Sequence, residues 1–356
     1  MIEPVQQLKN VKKYEPPVKE RKGKICLDFN ENTIGPSKKV MEVLQRINPE
    51  DIFTYPDISL LKTNLARILN IKETELMITN GIDESILLLP LAYLNKGDEV
   101  ILPIPTFIVY ELYYTAIGAS IVKVEYNKDM SFPTQKIIDA ISEKTKVITL
   151  VSPNNPTGTV IPKVEIIQIL EKAKKKNILV ILDEAYWQYN NMYTLKDLTK
   201  QYDNLIVLQT FSKAYGLAGL RMGYAIASEE IISTLEKVKL PYVNSLGVIA
   251  SLQALEDQEY VLGYLKDVQE SKKQLYTALK EVGIKTYPTG ANFFIAYFGE
   301  KIEYIYEEFK KRGILLRKVS NDSILNGCLR IGIGSKEQSR IFIENLKDIL
   351  NNNYIK

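Results

Sequence analysis

The 356 residues carry 46 Lys+Arg against 43 Asp+Glu, a formal charge of +3, so nothing in the balance marks a polyanion-binding chain. With no histidine and two cysteines, imidazole catalysis, His-ligated metal sites, four-cysteine zinc sites and a disulfide framework are all excluded. The composition is 46% hydrophobic and 25% charged, that of a globular chain whose length suits about two domains.

The N-terminal residues are charged, contain Pro16-Pro17 and lack the apolar core of a signal peptide. They read as an arm, residues 1–30. The longest apolar stretch, Ile86 to Leu94, is interrupted by Pro90 and falls far short of the ~18 residues of a membrane span. A soluble cytoplasmic protein is expected.

From about residue 37 the pattern alternates. SKKVMEVLQRI and LKTNLARIL have helical spacing, and DESILLLPLAYL follows a Gly-containing turn. Apolar, β-rich runs follow at 99–103, 120–124, 146–151, 178–183, 204–209 and 223–227, with amphipathic segments at 107–117, 134–141 and 163–176 between several of them. Apolar strands separated by helices predict a mostly parallel sheet covered on both faces. This would be a large α/β domain over 31–240. After 229 a long helical stretch spans about 245–281. Strands near 284–287, 293–297, 314–317 and 328–333 and a final helix from 336 then predict a smaller α+β domain over 241–356.

Sheets of this kind hold ligands at the C-terminal ends of their strands. Four runs follow strands or open helices there: TNGIDES with Gly81, VSPNNPTGTV with Asn155, ILDEAYWQY with Asp183 and QTFSKAYGLAGLRMGY with Lys213 and Arg221. Each alone has a bland reading, as a turn, a helix cap or a solvated lysine. Together they match the needs of pyridoxal 5′-phosphate (PLP): an amine for its aldehyde, an acid for its ring nitrogen, donors for its ring hydroxyl and a cradle for its phosphate. Phe107, after the run EVILP, would stack on the ring.

From KYEPP through LDFNENTIGPS, TYPD, NGIDE, PTFIVY, SPNNPTG, DEAY, FSKAYGLAGLRMGY and ANFFI to GILLR and GCLRIGIG, the chain resembles the fold-type-I PLP aminotransferases, and within them the histidinol-phosphate aminotransferase branch. The resemblance implies an aspartate aminotransferase-like fold. It makes Lys213 the Schiff-base lysine and proton shuttle, with Asp183 on the pyridinium and Asn155 and Tyr186 on the ring oxygen. Amides of Ile82 and Asp83 beyond Gly81, with Thr210, Ser212 and Arg221, would bind the cofactor phosphate, and Phe107 would stack, where the family often has Tyr. Tyr55 would reach the phosphate of the neighbouring subunit, which implies a homodimer. Arg330 would grip the substrate's carboxylate or phosphate, helped by Arg317 and Tyr14. Thr33 and Lys13 stand where the family's pattern usually has proline.

The reaction implied is ping-pong transamination of histidinol phosphate with glutamate and 2-oxoglutarate, without a metal. Other PLP enzymes share these motifs: aminotransferases for serinol phosphate or aromatic amino acids, and serine- or threonine-phosphate decarboxylases. A PLP-sensing regulator would need a helix-turn-helix module that the short N-terminal arm is too small to contain.

Overall fold

The computed structural model describes residues 2–9, 11, 21–319 and 324–351. In chain order the first elements are β1 (Ile25–Cys26), α1 (Lys38–Gln45), α2 (Pro49–Phe53) and α3 (Ser59–Leu69). An alternating series follows: β2 (Leu76–Thr79), α4 (Ile82–Tyr93), β3 (Glu99–Ile104), α5 (Ile108–Ile117), β4 (Ser120–Glu125), α6 (Thr134–Asp139), β5 (Thr145–Val151), α7 (Lys163–Lys174), β6 (Leu179–Asp183) and β7 (Leu205–Thr210). Next come β8 (Gly223–Ile226), α8 (Glu229–Glu236), α9 (Ser245–Glu256) and α10 (Gln258–Glu281). The chain closes with β9 (Lys285–Thr286), β10 (Phe293–Tyr297), α11 (Ile302–Lys311), β11 (Ile314–Leu315), β12 (Arg317–Lys318), β13 (Cys328–Gly332) and α12 (Lys336–Asn351).

Seven strands form the large sheet in the order β2-β8-β7-β6-β5-β3-β4. All run parallel except β8, which is antiparallel to both its neighbours. The central strands β5, β6 and β7 are almost wholly buried, as continuous apolar runs require when helices cover both faces. The edge strand β4 instead exposes Ser120, Lys123 and Glu125, a charged edge that discourages further pairing. The smaller sheet, β12-β13-β10-β9, is antiparallel. Helices α10, α11 and α12 pack together beside it, with Phe309 and Phe342 stacked 4.8 Å apart.

The mostly parallel sheet is thus present, and several details differ from the sequence expectation. The stretch 245–281 is two helices, because Asp257 adopts non-helical angles (φ −104°, ψ 53°) and its carboxylate takes the Lys39 ammonium at 3.1 Å. The run 314–317 divides between two sheets: β11 pairs with β1 in a parallel ribbon, and β12 pairs with β13. Strand β2 and helices α2, α8 and α11 are additional. LMIT in β2 is too short to be told from its helical surroundings by periodicity.

Candidate functional site

Strands β2, β3, β5, β6 and β7 end on the same edge of the large sheet, and the side chains singled out above gather there. Lys213 lies just beyond β7, in the connection that reverses the chain into β8. Its Nζ donates to the Phe29 carbonyl at 3.3 Å and lies 5.5 Å from the centre of the Tyr186 ring. Gly216 closes this turn by donating its N–H to the Lys213 carbonyl at 3.1 Å. A Cβ on Gly216 would stand 2.6 Å from the Gly35 carbonyl oxygen, and its φ of +74° favours glycine as well.

Asp183, the last residue of β6, is 2% exposed. Its Oδ1 accepts the Ala185 N–H at 2.9 Å and its Oδ2 accepts the Tyr110 hydroxyl at 3.0 Å. Burial pushes this carboxyl up to about 6, against the pull of both donors. Tyr186, in the turn beyond, is buried edge-on against Phe293 (centroids 5.1 Å apart), and its hydroxyl accepts from Asn30 Nδ2 at 3.1 Å.

The start of α4 forms a cradle. Gly81 is its N-cap with φ +77°, and the first-turn residues include Ile82 and Asp83. N–H groups at a helix start lack intrahelical partners and favour anions. Arg221, itself left-handed at φ +55°, donates Nη2 to Asp83 Oδ2 at 2.8 Å. A Cβ on Gly81 would lie 2.5 Å from that same Nη2. Thr210 Oγ1 accepts the Ser212 N–H at 3.0 Å and donates to the Met222 carbonyl at 3.1 Å, which joins this corner to the lysine turn. The buried Glu84 braces the cradle from behind, accepting N–H bonds from Asn80 (2.6 Å) and Leu240 (3.2 Å).

A cleft of about 410 Å³ opens beside these groups, lined by Phe107, Asn155, Arg317 and Arg330 and by Lys123 and Lys318. Arg330 is 7% exposed; Nη1 donates to Asn155 Oδ1 and Nη2 to the Asp28 carbonyl, each at 2.5 Å. Its guanidinium lies 5.3 Å from the Phe293 ring centre. Arg317 faces Arg330 across the β12–β13 register and lies 5.8 Å from the Phe29 ring centre.

Two candidates lie elsewhere. Tyr55 is 76% exposed and stacks on Tyr242, centroids 4.0 Å apart, on the outer surface. Tyr14 falls outside the described residues. Conversely, sequence reasoning missed Tyr110, Asn30, Phe29 and Glu84. For Tyr110 the one available signal is its position three residues after Phe107, on the same helical face.

A lysine amine, a buried carboxylate, an anion cradle at a helix start and a buried guanidinium therefore share one strand-end site. Such a set can hold a phosphorylated aldehyde with a basic ring nitrogen, together with an anionic substrate. The fit rests on observed features: the buried Asp183 carboxylate takes two neutral donors, Ala185 N–H and Tyr110 O–H, and Gly81 leaves its Cβ space to a guanidinium.

The family model for aminotransferase class I and II matches residues 22–346. The histidinol-phosphate aminotransferase of Thermoanaerobacter sp. (strain X514) is 37% identical over 352 residues, 97% of this chain and 98% of the relative. That of Bacillus subtilis (strain 168) is 34% identical over 359 residues, covering 97% and 99%. Among solved structures, the histidinol-phosphate aminotransferase of Sinorhizobium meliloti in complex with pyridoxal-5′-phosphate has the same fold, with TM-score 0.88, 22% identity and 99% and 98% coverage. A mutant aspartate aminotransferase from Thermus thermophilus also has the fold, with TM-score 0.80, 21% identity and 95% and 100% coverage. The chain belongs to the class I and II aminotransferases, in the family of the histidinol-phosphate aminotransferases.

Proposed function

We propose that this protein is a PLP-dependent transaminase that exchanges the amino group of histidinol phosphate with the glutamate/2-oxoglutarate couple. The observation that carries the reading is the convergence of Lys213, Asp183, the Gly81–Arg221 cradle and Arg330 on one sheet edge. When bound, the cofactor supplies an aldehyde that condenses with amines and a ring that withdraws electrons from the substrate carbon.

Lys213 would hold the cofactor through its amine, and its Nζ would carry the proton that leaves the substrate α-carbon. The Phe29 carbonyl and the Tyr186 ring bound the space in which that amine swings. Asp183 keeps a negative charge against the ring nitrogen. Asn155 and Tyr186 hold the ring oxygen, and Phe107 covers the ring face. Amides of Ile82 and Asp83, with Thr210, Ser212 and Arg221, hold the phosphate. Arg330 offers a planar fork suited equally to a carboxylate and a phosphate, so one site can take glutamate and histidinol phosphate in turn. Arg317, beside it, adds the second cation that a phosphoester dianion calls for, and Tyr14 is assigned to the same anion.

The active form is a homodimer in which Tyr55 reaches the phosphate of the neighbouring subunit, and the enzyme works in the cytoplasm. Exposed Ile52, Phe53, Tyr55, Leu60, Leu240 and Tyr242 support a covered surface in that region. Among the described residues no helix is long and apolar enough to cross a membrane.

The test is a single-turnover screen of the PLP-loaded protein against histidinol phosphate, glutamate, phenylalanine, serinol phosphate, serine phosphate and threonine phosphate. Keto products from histidinol phosphate and glutamate alone are expected. A keto product from serinol phosphate would move the enzyme to another substrate, and CO₂ release from serine or threonine phosphate would overturn transamination. Lys213→Ala should abolish turnover and the visible absorbance of covalently held cofactor.

A further inference from the structure

We propose that Tyr110 is a positioning residue for this reaction: its hydroxyl, donating to Asp183 Oδ2 from the first turn of α5, holds that carboxylate charged and aimed into the site. The inference rests on the cofactor reading above, because it assigns Asp183 to the ring nitrogen.

Asp183 has two donors of different origin. The Ala185 N–H belongs to the turn that follows β6 and accompanies any residue placed at this strand end. The Tyr110 hydroxyl comes from a separate element, 73 residues earlier in the chain, and reaches the other carboxylate oxygen at 3.0 Å. With Oδ1 and Oδ2 each tied to one donor, the carboxylate plane is set from both sides. Each oxygen still has a lone pair for a further donor.

Tyr110 is built to hold that place. Its side chain is fully buried. Tyr114, one turn on, packs against it with ring centroids 6.2 Å apart, and is itself tied to Thr149 Oγ1 of β5 at 2.5 Å. Phe107, three residues before Tyr110, caps the same helix and lines the cleft. One helical turn therefore sets both the candidate ring-covering side chain and the second donor to Asp183. Burial, then the neighbouring Asp183 charge, hold the Tyr110 phenol well above its ordinary range. It is thus a fixed donor and not a proton shuttle.

The charged groups around Asp183 explain why a donor matters. Asp83 from α4 disfavours its charge and Lys213 from the β7–β8 connection favours it, while Glu184, the next residue, is itself disfavoured in its charged form by Asp183. Once Lys213 is bonded to a cofactor, the Tyr110 hydroxyl is a stabilising partner that remains.

The experiment titrates PLP into cofactor-free protein across pH, following the emission of Trp187, which adjoins Tyr186. Affinity is expected to rise with pH as Asp183 ionises. In Tyr110→Phe the midpoint of that rise should move to higher pH and affinity at neutral pH should fall roughly tenfold or more, the scale of one lost hydrogen bond to a charged group. In steady state, kcat should fall with little change in the KM for glutamate. Tyr114→Phe removes an equally buried hydroxyl that does not touch Asp183, and its midpoint should stay with the wild type. In an Asp183→Asn background, Tyr110→Phe should add little further loss of affinity.

Should Tyr110→Phe misfold, 3-fluorotyrosine at position 110 gives a stronger donor of nearly the same shape, and the midpoint should move to lower pH. An unmoved midpoint in either variant, or an equal shift in Tyr114→Phe, would overturn this inference alone. Failure of the wild type to take up PLP would overturn the cofactor reading beneath it.

Discussion

Asp183 ends β6 and Glu184 is the next residue, with a separate set of hydrogen-bond partners. Glu184 is buried behind the site, where Oε1 accepts the Leu195 N–H at 2.7 Å and Oε2 accepts Gln209 Nε2 at 2.7 Å and the Thr194 hydroxyl. Gln209 in turn accepts from the Tyr224 hydroxyl at 2.8 Å. All these donors are neutral, and burial pushes the Glu184 carboxyl from 4.5 up to about 7. Between those values the native state binds more protons than the unfolded chain. This residue's contribution to stability is therefore full below about pH 4.5 and falls as pH rises towards about 7. At about 1.4 kcal/mol per pKa unit, the window is worth roughly 3 kcal/mol. Glu184→Gln should accordingly flatten the pH dependence of urea unfolding of the cofactor-free protein between pH 5 and 8. An unchanged slope would refute the assignment. Lys213 and Asp183 were legible in the sequence because each follows an apolar run in a characteristic motif. Tyr110 was not, because no local periodicity reveals that a hydroxyl on α5 meets a carboxylate on β6.

Elements bring these residues together through close backbone approach. Gly223 opens β8 against the start of α4, where a Cβ would lie 2.7 Å from the Ile82 nitrogen. That obstacle is backbone and cannot rotate away. Gly223→Ala should push the α4 start off the sheet, destabilising the protein by about 1–3 kcal/mol and weakening PLP binding. Thermal unfolding of cofactor-free protein reads the first effect and a PLP titration the second; wild-type values in both would show that the cradle tolerates the displacement. The central parallel strands were readable because burial on both faces leaves uninterrupted apolar runs. Strand β2 and the division of 314–317 were not. Strands this short take their identity from a partner far along the chain: β2 from β8, and β11 from β1.

For the whole molecule, the proposed dimer would cover apolar side chains that a single chain leaves exposed. Phe53 is 75% exposed, two residues from Tyr55. Phe53→Glu should raise the monomer fraction in sedimentation velocity and lower kcat, since Tyr55 would no longer reach its neighbour's phosphate. A dimeric variant of full activity would place the interface elsewhere. Within a single chain, residues 27–32 join distant parts of the molecule. Phe29 and Asn30 touch Lys213 and Tyr186, the Asp28 carbonyl takes Arg330, and Leu27 exchanges backbone bonds with Leu315 and Gly332. This segment is synthesised long before its strand partners at 314–332. A nascent chain can therefore complete all seven strands of the large sheet while the floor beneath its lysine waits for residues 314–332.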